Sequence, residues 1–588
     1  MFGRMGLGRL GTLNPPAPRG GAALLQGETG LGIDFTDSSG VGSVAVIGHS
    51  TNYNNVPVDG FLTQSGTSPK LVRNASGTYV WSPHNLVLRS EAIDHAAWSK
   101  SSVTAVADQA NDSTGAATLE KITEVAATAV HYVGSTAIAV IAGASYTTTF
   151  EARAGDLGFV QISFPAGTFG TTYANFDLNN GAVGSKSAAV TANIVSLGGG
   201  LYRCEASITC GTSGNADTII VLIPAADSAR SLSYLGTGKF IYVGRVRVNR
   251  GTVTTTYLAT TSAAKFAVPM DYDSGWAMLV EPAATNLCLR AQDFSNASWT
   301  KSNLTAARTA TGIDGVANSA STLTATAGNA TALQAITSGS SSRLTSMFVK
   351  RRTGSGAVEM TQDNGSTWTP ITVTADWARV EIAAVTSTNP TVGVRIVTSG
   401  DAVDVDIFQH ETGSVATSPI ETFSATVTRA ADNINVATSA LPYSATAGTV
   451  LINAVPYQVS TAQQLLSISD GTANERIQLY EFAPAVKAWM SDGGATQVNA
   501  LAAGSNGNAV AGALFRVGLA WSADDVALVK DAGTAGTDAT ATLPTPTIMY
   551  IGNRYDGAGG NQIWNGRIHS LIYLPRRMTN ADLQARTT

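Results

Sequence analysis

The sequence predicts an all-β protein, a tandem of antiparallel β-sandwiches of jelly-roll type that follows an extended N-terminal arm. Three observations lead there. Charged residues make up only 13% of the 588 residues, against roughly 25% in an average soluble protein. Ala, Thr, Ser, Gly and Val fill the space; Thr and Val are β-branched and fit pleated strands, while 59 glycines supply turns. Second, a 17-residue stretch occurs twice. Asn85–Ser101 and Asn286–Ser302 share 8 identities without a gap, among them Arg89 with Arg290 and Trp98 with Trp299. Copies 201 residues apart point to duplicated domains, because a solenoid repeat is only about 20–50 residues long. Third, Tyr202–Cys210 sets Tyr202, Cys204, Ala206, Ile208 and Cys210 against Arg203, Glu205, Ser207 and Thr209. This is the period-2 alternation of a half-buried antiparallel strand.

Residues 1–33 carry Pro15-Pro16-Ala-Pro18 and Gly20-Gly21, too little apolar surface for a core of their own. They read as an extended arm, with Phe2, Met5, Leu7 and Leu10 as the side chains that would fill grooves on a partner. Residues 34–84 hold short strand-like pieces and read as a small β collar. The first repeat spans 85–261, a linker 262–285, and the second repeat 286–422. The copies also end alike, in Gly251-Thr-Val-Thr-Thr-Thr and Gly413-Ser-Val-Ala-Thr-Ser, and the second is shorter inside. In the strand Ile241–Asn249, Val246 and Val248 are expected inward, Arg245 and Arg247 outward. Residues 423–588 alternate short strands with Gly, Asn and Asp turns, the pattern of another sandwich. Only Asn580–Ala585 reads as helix, with Thr579 as N-cap.

The net charge is −5 and no long basic run exists, so the electrostatic footprint of nucleic-acid binding is missing. No stretch of 18 apolar residues offers a membrane span, and the first eleven residues lack the apolar run of a secretory signal. Three cysteines exclude a disulfide scaffold. Cys204 and Cys210 sit on one strand roughly 20 Å apart and are core fillers. Gly40-Val-Gly-Ser-Val-Ala45 lacks the βαβ context of a dinucleotide site, no histidine has a metal-ligand companion, and no nucleophile elbow occurs. No cofactor, metal or catalytic residue is therefore expected, although paired acids from distant strands stay open. Asp401, Asp404 and Asp406 read as a solvated strand face, with two oxygens for calcium from Asp404 and Asp406 as the alternative. Trp98 and Trp299 read as core. The candidate for ligand contact is the glycine-rich loop Asn553-Arg-Tyr-Asp-Gly-Ala-Gly-Gly-Asn561, where Asn553, Arg554, Tyr555, Asp556 and Asn561 offer amide, guanidinium, ring and carboxylate to a glycan.

Three pieces of this sequence resemble virion proteins of bacteriophages and prophages. Asn-Leu-x-Leu-Arg-(Ser/Ala)-(Glu/Gln)…Trp-(Ser/Thr)-Lys is similar to the opening of carbohydrate-binding-module-like domains in phage tail fibres. Tyr173-Ala-Asn-Phe-Asp-Leu-Asn-Asn-Gly with Gly200-Leu-Tyr-Arg-Cys204 is similar to two inner strands of the same module. Val427-Thr-Arg-Ala-Ala-Asp432 and Leu441-Pro-Tyr-Ser-Ala-Thr-Ala-Gly-Thr449 precede a stretch that looks like a concanavalin-A or laminin-G-like sandwich, ending in Trp564-Asn-Gly-Arg-Ile-His-Ser-Leu-Ile-Tyr573. The resemblance implies a tail-fibre or spike protein of the virion, made in a host cytoplasm. It implies docking on other virion proteins through the N-terminal arm, binding to host surface polysaccharide, and assembly as a homotrimer. No heptad pattern enforces a trimer. A structural decoration protein of capsid or tail, and a capsule depolymerase, are the alternatives.

Overall fold

The repeated stretch builds the same device twice. In the computed structural model, which describes residues 21–25, 28–36, 40–48, 53–459, 462–556 and 562–588, Asn85 and Asn286 are fully buried. The Asn85 amide donates to the carbonyls of Val246 and Leu258 at 3.0 Å each, and its oxygen accepts from the Val87 N–H at 3.1 Å. Asn286 does the same with Phe408 and Ile420 at 3.0 Å each and with the Cys288 N–H at 3.1 Å. Arg89 and Arg290 then turn the chain through the left-handed region, at φ 51° and 52°. Their carbonyls accept the indole N–H of Trp98 at 3.0 Å and of Trp299 at 3.1 Å. Lys100 donates to the carbonyls of Asp94, His95 and Trp98, and Lys301 to those of Phe294, Asn296 and Trp299. The repeated Asn, Trp and Lys side chains thus satisfy backbone groups that would otherwise lack partners.

Both copies are sandwiches with the same strand order. One sheet of the first copy runs Thr191–Gly198, Leu201–Thr209, Ser145–Ala154, Phe240–Arg250, Ala117–Glu124, Val103–Asn111. Its counterpart runs Ala378–Ser387, Ser341–Thr353, Ala402–Thr412, Ala320–Ala325, Leu304–Ala310. The facing sheets run Ala182–Lys186, Tyr173–Asp177, Phe159–Ser163, Ile219–Leu222, His131–Gly134, Ser99–Ser101 and, in the second copy, Thr369–Ile371, Val358–Thr361, Thr391–Ile396, Ala330–Ala335, Thr300–Ser302. The second copy lacks Ala182–Lys186 and Thr191–Gly198, one outer strand from each sheet. Trp98 and Trp299 are 2% and 1% exposed in matching cores; Phe294 stacks on Trp299 with centroids 4.0 Å apart, and Phe408 meets it edge-on. All three cysteines are free and buried.

The third sandwich pairs a seven-stranded sheet with a ten-stranded one among the described residues. Here the collar and the linker are corrected. Gly30–Asp34 lies between Ser43–Ile47 and the last strand, Gly566–Leu574, with Ile33 opposite Leu571. Met270–Tyr272 and Trp276–Val280 form a hairpin whose second strand joins the same strand, Met278 opposite Ile568. Residues expected as arm, collar and linker therefore complete the C-terminal sandwich. Leu31, Ile33, Val44, Val46, Met278 and Val280 enter one core with Val450, Val517, Leu571 and Tyr573. Another part of the linker, Lys265–Phe266, pairs with His84–Asn85 of the first repeat. The arm is likewise not extended throughout: Gly21–Leu25 is a helical turn, and Leu25 packs with Leu574, Met578 and Leu583. The closing helix, Asn580–Arg586, has Thr579 accepting the Asp582 N–H at its cap. The chain divides into two units, Val80–Ala267 with Glu421–Thr426, and the remainder.

Candidate functional site

The loop singled out from the sequence leaves the seven-stranded sheet at Gly552, whose positive φ of 70° and approach to Val280 leave no room for a Cβ. The loop is tied at both ends: the Trp564 N–H donates to the Gly552 carbonyl at 2.9 Å, and the Gln464 N–H to the Gln562 carbonyl at 2.8 Å. Trp564 is fully buried and meets Phe515 edge-on. Between these ties the candidate residues separate. Asn553 is 1% exposed, and its amide donates to the Asp432 carbonyl at 3.3 Å. It is a structural group with no surface for a sugar, which corrects the sequence expectation. Asn561, like Phe2, Met5, Leu7 and Leu10, lies outside the described residues.

Arg554, Tyr555 and Asp556 are half-buried at the surface. Arg554 makes a two-pronged ion pair with Asp556, Nε to Oδ1 at 2.9 Å and the second bond through Nη2, and this bonding raises the guanidinium further above its ordinary range. Its guanidinium carbon lies 5.2 Å from the centre of the Tyr555 ring. Arg476, from the strand Arg476–Phe482, lies 4.6 Å from the same ring and 5.6 Å from that of Trp489. Strand alternation explains the meeting. Ile477 and Leu479 point into the core, as do Ala488 and Met490 of the neighbouring strand, so Arg476, Gln478, Tyr480, Lys487 and Trp489 share the other face. Register places Gln478 opposite Trp489 and Tyr480 opposite Lys487. Burial pulls the Arg476 guanidinium downward, and the Tyr555 ring opposes that. The result is a surface of two aromatic side chains, two guanidiniums and a carboxylate, suited to a neutral or weakly charged polar ligand. Arg476, Tyr480 and Trp489 were not singled out from the sequence, although the alternation of Arg476–Tyr480 carried the signal.

Beneath the loop lies a buried ionic cluster. Lys70 is 2.9 Å from Glu281 and also pairs with Asp432, and Arg429 is 3.4 Å from Glu281. Burial alone would raise the Glu281 carboxyl, but Lys70 and Arg429 hold it at about 2. The acidic triplet is also structural, which corrects its reading as a solvated face. Asp404 takes the Thr322 hydroxyl at 2.7 Å and Arg352 at 3.2 Å; Asp406 takes the Ile313 N–H at 2.9 Å; Asp401 takes the Gly356 N–H at 2.7 Å. Among the described residues no group of three or more His, Cys, Asp or Glu is placed to hold a metal ion, and no helix is long and apolar enough to cross a membrane.

No protein-family model and no curated protein matches this chain. Solved structures do. CBM40 of the Ruminococcus gnavus IT-sialidase, bound to α2,3-sialyllactose, is 16% identical over 24% of this chain and 83% of its own, with a TM-score of 0.22. NanB sialidase from Streptococcus pneumoniae is 11% identical over 26% of each chain, at 0.22. The SAP-like pentraxin of Limulus polyphemus is 14% identical over 25% of this chain and 73% of its own, at 0.21.

Proposed function

We propose that this chain is a virion surface protein of fibre or spike type that recognises glycan on a host cell, with the face around Tyr555 as a contact site. The observation that carries the reading is the half-exposed set of Trp489, Arg476, Tyr555 and Arg554 on the outer face of the C-terminal sandwich. Sugars offer apolar C–H faces beside hydroxyl groups, and aromatic rings edged by guanidiniums complement both. The sequence resemblance supports the virion setting, with Phe2, Met5, Leu7 and Leu10 docking on other virion proteins. A homotrimer suits a shallow site of this kind, because linked copies raise avidity by roughly 10²–10⁴. The test is binding of the full-length protein to host cells and to an array of surface glycans. Tyr555→Ala and Trp489→Ala are each expected to weaken attachment about tenfold, the loss of one aromatic contact, with the melting temperature kept. Attachment equal to that of the unsubstituted protein would reject this face as the site.

A further inference from the structure

The first repeat carries a second polar surface. An open cleft of about 580 Å³ lies between the outer face of the strands Thr191–Gly198, Leu201–Thr209 and Ser145–Ala154 and the segment 252–256. That volume is within the roughly 300–1,000 Å³ of small-ligand sites. On its floor, Arg203 Nε donates to Glu205 Oε1 at 2.6 Å and Asn193 Nδ2 donates to Glu205 Oε2 at 3.2 Å. Both Glu205 oxygens are thereby engaged, while the two terminal nitrogens of Arg203 have no hydrogen-bond partner among the described residues. The Arg203 side chain is 35% exposed. Next to this pair Arg247, only 2% exposed, holds the segment in place through the Thr255 carbonyl. Burial and the neighbouring Arg203 charge lower the Arg247 guanidinium to about 10. Arg203 and Glu205 are the charged side chains that line the cleft, and the buried Arg247 adds a positive charge behind them.

The second repeat shows what an idle version looks like. Arg379 and Glu381 occupy the places of Arg203 and Glu205: Glu205 and Arg247 both lie opposite Thr149, as Glu381 and Gln409 both lie opposite Ser346. There, Arg379 itself grips the Thr417 carbonyl and donates to the Ser346 hydroxyl at 3.1 Å, and Glu381 accepts the Ala416 N–H at 3.3 Å. The closing segment consumes both side chains. In the first repeat Arg247 takes over that duty, and the extra strand Thr191–Gly198 adds a wall with Thr191 and Asn193. Beyond its Nε bond to Glu205, Arg203 is left with two terminal nitrogens that have no partner among the described residues, and a carboxylate is what such a fork matches in two parallel bonds. The remaining lining is hydroxyl-rich (Thr147, Thr191, Ser207), and Val253 stands 70% exposed at the rim.

We infer that the first repeat binds a carboxylate-bearing sugar residue of an acidic polysaccharide, its carboxylate on the terminal nitrogens of Arg203 and its ring between the threonines and Val253. The inference rests on the glycan-recognition reading but places the acidic specificity away from Tyr555. Titration calorimetry of the full-length protein with tri-galacturonate, its methyl ester and maltotriose tests it. Tri-galacturonate is expected to bind about tenfold more tightly than its ester or maltotriose, the scale of one charge-assisted pair of bonds. Arg203→Gln is expected to remove that advantage. Thr191→Trp, at an exposed position on the wall, is expected to remove it by filling the cleft with Arg203 intact. Melting curves establish that both variants are folded. Equal binding of acid and ester, or undiminished binding by both variants, overturns the inference. If that happens while Tyr555→Ala still weakens cell attachment, the wider reading stands and only the acidic site falls. If the unsubstituted protein holds neither saccharide nor cells, both fall.

Discussion

Single residues matter most where the fold has removed them from water. Trp98 and Trp299 fill equivalent cores and spend their only donor on an arginine carbonyl, so Trp→Ala at either is expected to cost about 3–5 kcal/mol through the cavity it leaves, measurable by chemical unfolding. Glu120 differs. It is fully buried, and neither carboxyl oxygen has a hydrogen bond of good geometry among the described residues; burial, then the nearby Asp94 charge, push its carboxyl up to about 8 against the weaker opposing pull of the Asp94 and Ile93 N–H groups. Its counterpart Ser321 accepts the Phe294 N–H at 3.0 Å and donates to the Gln292 carbonyl at 2.8 Å. A carboxyl raised on folding favours the native state only while protonated. Its contribution is therefore complete below about pH 4.3, the ordinary value, and is lost as pH climbs through about 8. Glu120→Gln is expected to gain in melting temperature over the unsubstituted protein at pH 8.5 and to show no such gain at pH 4. A difference independent of pH would contradict this account.

Among the elements, strands are legible where side chains alternate between core and solvent. The alternating stretch Tyr202–Cys210 coincides with the observed strand Leu201–Thr209 but for its last residue, and Thr579 caps the helix expected after it. Alternation reports that a face is covered, not by what. Hence Gly30–Asp34 reads as the end of the arm, Ser43–Ile47 as collar and Trp276–Val280 as linker, although Gly30–Asp34 and Trp276–Val280 both pair with Gly566–Leu574. Arg247 failed for the same reason: it leaves the core as expected, yet the 252–256 segment folds over it. Among the candidate loop residues, Asn553 was a polar side chain in a glycine-rich run, and nothing local distinguishes an amide facing a buried carbonyl from one facing solvent. The cluster beneath it ties together elements from three parts of the sequence through Lys70, Glu281, Arg429 and Asp432. Lys70→Met leaves two carboxylates short of a cation, and unfolding free energy is expected to drop by about 3–5 kcal/mol. A smaller loss, measured by denaturant titration, would show that Arg429 compensates.

For the whole molecule, duplication and sandwich architecture were readable because they repeat, whereas the boundaries between sandwiches were not, because the chain completes its last domain with its first strands. Deleting residues 1–47 removes Gly30–Asp34 and Ser43–Ile47 from beside Gly566–Leu574, and it is expected to give a poorly soluble chain whose C-terminal sandwich no longer melts cooperatively. Deleting residues 1–20 alone is expected to leave solubility and melting unchanged. Equal solubility and melting of the two truncations would remove the structural role assigned to these strands. The arrangement also bears on synthesis. Glu28 bonds Arg576, 548 residues away in sequence, and Ile33 waits for Leu571. On the ribosome each repeat can close as soon as its own strands emerge, since domains generally fold as units from the N-terminus. Gly30–Asp34 must instead remain unpaired on that side until Gly566–Leu574 has emerged, with a sheet edge exposed to any nascent neighbour. Pairing of Gly30–Asp34 with Gly566–Leu574 is then a late event for the C-terminal sandwich, and a chain broken off before residue 566 is expected to expose an open sheet edge and to aggregate however well its repeats have folded.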